Sequence, residues 1–107
     1  MTSAADSAEI GEVITAGGIE TNVHIRSHPT SSDTVLLLHG SGPGVSAFAN
    51  WRLTIPHLEQ DMTVIAPDIV GFGFTERPTD VSYDLETWTT HAVDVLDALG
   101  VERAHVV

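Results

Sequence analysis

The sequence of 107 residues contains no cysteine, so disulfides, thiolate metal sites and cysteine nucleophiles are excluded. It contains no lysine either. Four arginines stand against 15 acidic residues, and the formal net charge is -11. Phosphate backbones repel such a chain, so nucleic acid and anionic membrane surfaces are not expected partners. A phosphate-cradling loop needs a lysine after its glycines, and none is available. No apolar run approaches the roughly 20 residues that span a bilayer. Met1 to Glu9 has neither the basic start nor the apolar run of a secretory signal. These absences lead to the expectation of a cytoplasmic protein.

What is present is a chain that is 42% hydrophobic, enough for a real core and too much for disorder. Its length suits one small domain or part of a larger one. The organising stretch runs from Val35 to Gly44. Branched apolar residues, Val35 to Leu38, read as a strand buried on both faces. His39-Gly40 ends the run, and Ser41-Gly42-Pro43-Gly44 follows as a glycine loop. Little side chain shields that loop, so its amide N–H groups can approach a partner closely. A helical pattern opens near Ser46. Strand, loop and helix start together point to backbone donors meeting an anion or a developing negative charge.

Around this stretch, Met1 to Ala8 is expected to be a loose tail, with the folded part over residues 9–107. Glu9 to Thr15 and Ile19 to Arg26 read as a β-hairpin around Ala16-Gly17-Gly18. In the second strand Ile19, Thr21, Val23 and Ile25 share one face. Glu20, Asn22, His24 and Arg26 share the other, which is expected to be solvated. From Ser46, the steps Phe48, Trp51, Ile55 and Leu58 predict one helix with a kink near Pro56. Met62 to Ala66 is a further strand, closed by a second glycine loop over Pro67 to Gly73. Asp84 caps a helix whose Leu85, Trp88, Ala92, Leu96 and Leu99 line one face, and Gly100 ends it. Ala104 to Val107 begins another strand. Hairpin, then β-α-β-α-β, is an α/β arrangement with a parallel sheet and the hairpin at one edge.

The segments Leu36 to Gly44, Ala49-Asn50-Trp51-Arg52 and Pro67 to Gly73 resemble the N-terminal part of the α/β-hydrolase fold. Within it the resemblance is to the meta-cleavage product hydrolases, such as 2-hydroxymuconic semialdehyde hydrolase. The resemblance implies hydrolytic carbon–carbon cleavage of a 2-hydroxy-6-oxo-dienoate, a small-molecule substrate, with no cofactor and no metal. It also implies a homo-oligomeric parent. Its Ser–Asp–His triad starts on a turn after the fifth strand. That places all three residues beyond Val107, so the chain is expected to stop before the nucleophile and to be inactive alone. What the resemblance carries onto these residues is half of an oxyanion hole: the backbone N–H of Ser41, with Gly40 and Gly42 letting substrate oxygen approach. Asn50 matches a polar position at the dienoate end of the substrate.

Plainer roles stand beside these. Asp68 before a glycine loop is expected to bond nearby amides rather than to catalyse. Asn50 is open between substrate contact and a hydrogen bond on its own helix. Arg52 is expected in a structural ion pair, and Trp51 and Trp88 in the core. His39 is assigned to the framework, not to the triad. His24 and His28 are not expected to form a metal pair. Dinucleotide fingerprints fail at Val45 and Glu76. An esterase, a haloperoxidase or a non-catalytic binding protein on the same fold are the alternatives. Epoxide hydrolases and dehalogenases usually carry proline three places after the loop histidine, where this chain has Gly42.

Overall fold

The computed structural model describes residues 8–107, so the expected tail lies, apart from Ala8, outside the described residues. The elements in order are β1 (Glu12–Ala16), β2 (Ile19–Arg26), β3 (Thr34–Leu36), α1 (Ala47–Trp51), α2 (Ile55–Leu58), β4 (Thr63–Pro67), α3 (Leu85–Ala98) and β5 (His105–Val106). They form one five-stranded sheet in the order β1-β2-β4-β3-β5. β1 and β2 pair antiparallel around Gly17-Gly18, both at positive φ, and β2 pairs antiparallel with β4. β3 is parallel to both neighbours, with Val35 opposite Val64 on one side and His105 on the other.

This strand order decides where the helices go. From β3 the chain crosses one way to β4, then back over β3 to β5. Right-handed crossovers in opposite directions put α1 and α2 on one face of the sheet and α3 on the other. Period-two alternation along the strands feeds both faces. Val35, Leu37, Val64 and Ala66 pack with Ala47 and Ile55 on the first. Leu36, Ile65 and Val23 pack with Ala16 and Val95 on the second. α3 is well bounded. Asp84 accepts from the Thr87 N–H at its start. At its end Gly100, at φ 70°, lets the Val101 N–H return to the Leu96 carbonyl at 2.9 Å. No helix among the described residues is long and apolar enough to cross a membrane.

Three expectations need correction. The second face of β2 is solvated only at its ends, Glu20 and Arg26, because Asn22 and His24 are buried. The chain before β1 lies over them, so Asn22 Nδ2 and His24 Nε2 both donate to the Glu9 carbonyl, at 2.9 and 3.0 Å. The His24 ring also meets that of Phe48 on α1, at 5.7 Å between centroids. Next, the single helix from Ser46 is two short helices. α1 ends at Trp51, a turn follows in which the Thr54 N–H bonds the Trp51 carbonyl, and Pro56 sits in the first turn of α2. A proline there costs no hydrogen bond, because first-turn N–H groups have no intrahelical acceptor. Finally, the packed face of α3 is centred on His91 and Val95. Leu85, at the end of the expected stripe, is 78% exposed.

Candidate functional site

The sheet reverses direction at β3, and in open α/β sheets ligands bind outside the carboxyl ends of the strands at such a reversal. Two glycine loops meet there, one after β3 and one after β4. From these loops an apolar cavity of about 490 Å³ extends along the sheet face beneath α3, bordered by Gly40, Ser41 and Phe72 at the loops, by Leu36 and Val106 on the sheet and by Trp88 and Leu96 on α3. The loop after β3 thus brings Gly40 and Ser41 to this cavity. Gly42 instead lines a smaller cleft of about 390 Å³ with Pro43, Gly44 and Arg77. Asn50 is exposed on α1 and borders neither space. Among the described residues the Ser41 N–H has no protein acceptor, so it is available to a ligand.

The loops are held from behind by three buried polar groups. Asp68 is fully buried at the end of β4. Its Oδ1 accepts from the Ala47 N–H at 2.7 Å, and its Oδ2 accepts from Asn22 Nδ2 and the Phe74 N–H, both at 2.9 Å. One carboxylate therefore ties the first residue of α1 to β2 and to the second glycine loop. Ser46 completes the start of α1 by accepting from the Ala49 N–H at 3.1 Å. The structural role expected of Asp68 is the one observed.

His39 ties the two loops to each other. Its Nε2 accepts from the Ile69 N–H at 2.9 Å, and its Nδ1 lies 2.7 Å from the Gly40 carbonyl. A carbonyl is an acceptor only, so the imidazole carries its proton on Nδ1 and uses its lone pair on Ile69. The Phe72 ring stands edge-on to it at 5.3 Å. With both nitrogens engaged, His39 belongs to the framework and offers no free base.

His91, from α3, ties the second loop to β2 instead. The Val70 N–H donates to its Nδ1 at 3.1 Å, and its Nε2 meets Thr21 Oγ1 at 2.9 Å. The Thr21 hydroxyl in turn donates to the Ile19 carbonyl at 3.0 Å, so Nε2 carries the proton. Burial lowers the pKa of His91 below the ordinary histidine value, and the nearby Asp94 partly opposes this. His91 was not singled out from the sequence. Its only signal was its place one helical turn before Val95, beside Ala92.

The remaining assignments divide. Trp51 packs against the first core cluster as expected, whereas Trp88 is only half buried and borders the cavity. Among the described residues the ion pairs are Arg26–Glu59 and His105–Asp33, and Arg52 takes part in neither. His28 spends its nitrogens on the Gln60 carbonyl and on the Thr30 and Ser31 N–H groups.

Comparison with known proteins agrees with this geometry. The chain is 50% identical over 101 residues to a 2-hydroxy-6-oxo-2,4-heptadienoate hydrolase of Pseudomonas putida, covering 94% of this chain and 36% of that protein. It is 49% identical over 107 residues to a 2-hydroxymuconate semialdehyde hydrolase of a Pseudomonas species, covering 100% of this chain and 37% of that protein. Among solved structures it superposes on a meta-cleavage product hydrolase from Pseudomonas fluorescens with a TM-score of 0.88 and 51% identity, over 94% of this chain and 36% of that one. The chain therefore spans little more than a third of the length of these relatives. The sequence profile of the alpha/beta hydrolase fold matches residues 33–107, from just before β3 to the last residue of the sequence. With the strand reversal at β3, the glycine loop beyond it and that match over most of its length, the chain belongs to the α/β-hydrolase fold family.

Proposed function

We propose that the chain is the N-terminal part of a cytoplasmic serine-type hydrolase that cleaves a carbon–carbon bond in 2-hydroxy-6-oxo-dienoates, the ring-fission products of aromatic compounds. One observation carries the role of these residues: the unengaged Ser41 N–H at the carboxyl end of β3, where an apolar cavity along α3 reaches the loop. Hydrolysis at a carbonyl builds negative charge on oxygen, and a fixed N–H beside an apolar wall stabilises that charge strongly. The second donor of such a site in this fold follows the nucleophile. Nucleophile, base and acid are assigned to no residue of this chain. Substrate names of the relatives supply the dienoate class, and the apolar wall of Leu38, Phe72 and Trp88 suits its conjugated carbon chain.

Position 41 tests the reading in a full-length hydrolase that carries this chain. Ser41→Ala keeps the N–H and is expected to leave turnover nearly unchanged. Ser41→Pro removes it and is expected to lower turnover about 100-fold or more. Circular dichroism checks that the proline variant is folded. Equal losses in two folded variants would transfer the role to the hydroxyl.

A further inference from the structure

The Ser41 N–H belongs to the peptide unit whose carbonyl is that of Gly40. The peptide is trans, as all are among the described residues, so this C=O and N–H point in opposite directions in one plane. Whatever fixes the Gly40 carbonyl therefore fixes the direction of the Ser41 N–H. The group that does so is the His39 ring, whose Nδ1–H donates to Gly40 O at 2.7 Å. The ring is itself immobilised. It is 6% exposed, its Nε2 is anchored by the Ile69 N–H at 2.9 Å, and Phe72 stands against its edge. Without that bond the peptide is free to rotate, since Gly40 has open space around it and no side chain to restrict it.

We propose that His39 is a positioning residue, which aims the oxyanion donor by holding the Gly40 carbonyl through its Nδ1–H. This rests on the reading of Ser41 given above and adds to it the group that orients the donor. The two nitrogens separate this role from a merely structural one. Asparagine places its amide within reach of the Nδ1 position, so His39→Asn keeps a donor for Gly40 and loses the Ile69 bond. Glutamine reaches the Nε2 position, so His39→Gln keeps an acceptor for Ile69 and loses the Gly40 bond.

The test measures kcat, KM and melting temperature for both variants in a full-length hydrolase carrying this chain. The expected result is similar destabilisation, with kcat about 10-fold or more lower for His39→Gln, within about 3-fold of wild type for His39→Asn, and KM little changed in both. Equal kcat values, or kcat values that follow melting temperature, overturn the proposal. A second readout needs neither activity nor a folded variant: imidazole nitrogen NMR shifts of His39 in the wild-type chain. A proton on Nδ1 alone is expected, and a proton on Nε2 alone overturns the assignment. Absence of dienoate hydrolysis by the wild-type hydrolase would instead sink the functional reading and leave this NMR result standing on its own.

Discussion

Removing the Asp68 carboxylate should destabilise the chain by untying the glycine loops from α1 and β2. The carboxylate is fully buried and accepts three hydrogen bonds, two of them from buried donors. Asp68→Ala leaves the Ala47 N–H, the Asn22 amide and the Phe74 N–H without that acceptor. Each stranded donor costs about 1–3 kcal/mol. The variant regains some free energy because no charge has to be buried, so the net loss is about 3–5 kcal/mol. A chain of this size has roughly 5–15 kcal/mol in all, so the loss is a large share. Asp68→Asn separates shape from charge. Its single oxygen can replace only one of the two carboxylate oxygens, and its NH2 then faces a donor, at a cost of about 1–3 kcal/mol. Urea unfolding followed by the fluorescence of Trp51 and Trp88 measures both. At a slope of about 1–3 kcal/mol per molar, the alanine variant should shift the midpoint by about 1 M or more, and the asparagine variant by less. An alanine variant within about 1 kcal/mol of wild type would refute the clamp.

Four further outcomes are expected. His91 has a lowered pKa when folded, so the unfolded chain takes up its proton first. Its contribution to stability is whole above the ordinary value of 6.5 and falls as pH drops below it. Unfolding free energies at pH 7.5 and 5.5 should therefore differ less in His91→Gln than in wild type. Gly73→Ala should destabilise by more than about 1 kcal/mol in the same urea assay, because φ is 53° and the new Cβ would lie 2.2 Å from Asp68 Oδ2. The isolated 107-residue chain should show no saturable hydrolysis of dienoates or activated esters, and turnover by a pure preparation would place the nucleophile within it. Light scattering should show self-association that rises with salt. β5 is an edge strand with Val106 and Val107 more than half exposed, and the charge of -11 that keeps copies apart is screened.

The fold was legible where a local pattern and the global packing agree. Val35 to Leu38 is apolar at every position because helices cover both sheet faces, and Gly17-Gly18 turns the hairpin because both need positive φ. Asp84 and Gly100 bound α3 through bonds that span at most a few residues. Patterns misled where distant chain decides burial. Asn22 and His24 alternate like surface residues, yet the backbone at Glu9 and the carboxylate of Asp68 meet them from outside the strand. Asp68 is 46 residues from Asn22, and nothing in the residues around Glu9 marks its backbone as the cover for this face.

The site divides along the same line. The glycine loop was legible because a strand ending in His-Gly followed by glycines leaves backbone amides bare; Ser41 was singled out within it only through the resemblance to the α/β-hydrolase fold. The groups that hold the loop were not, since each acts across more than 20 residues: His39 on Ile69, Asp68 on Ala47, His91 on Thr21. Assigning His39 to the framework was correct, but the sequence alone does not say which peptide its ring holds. The apolar stripe of α3 shows the opposite case. Leu85, Trp88, Ala92 and Leu96 repeat at helical spacing; Trp88 was expected in the core and borders the cavity, Ala92 and Leu96 both pack against the second core cluster and reach the cavity, and the fully buried positions are His91 and Val95. A wall for an apolar ligand and a packed core require the same residue types at the same spacing. Only the direction of the helix face relative to β3 distinguishes them, and that direction is set by the order of strands in the sheet.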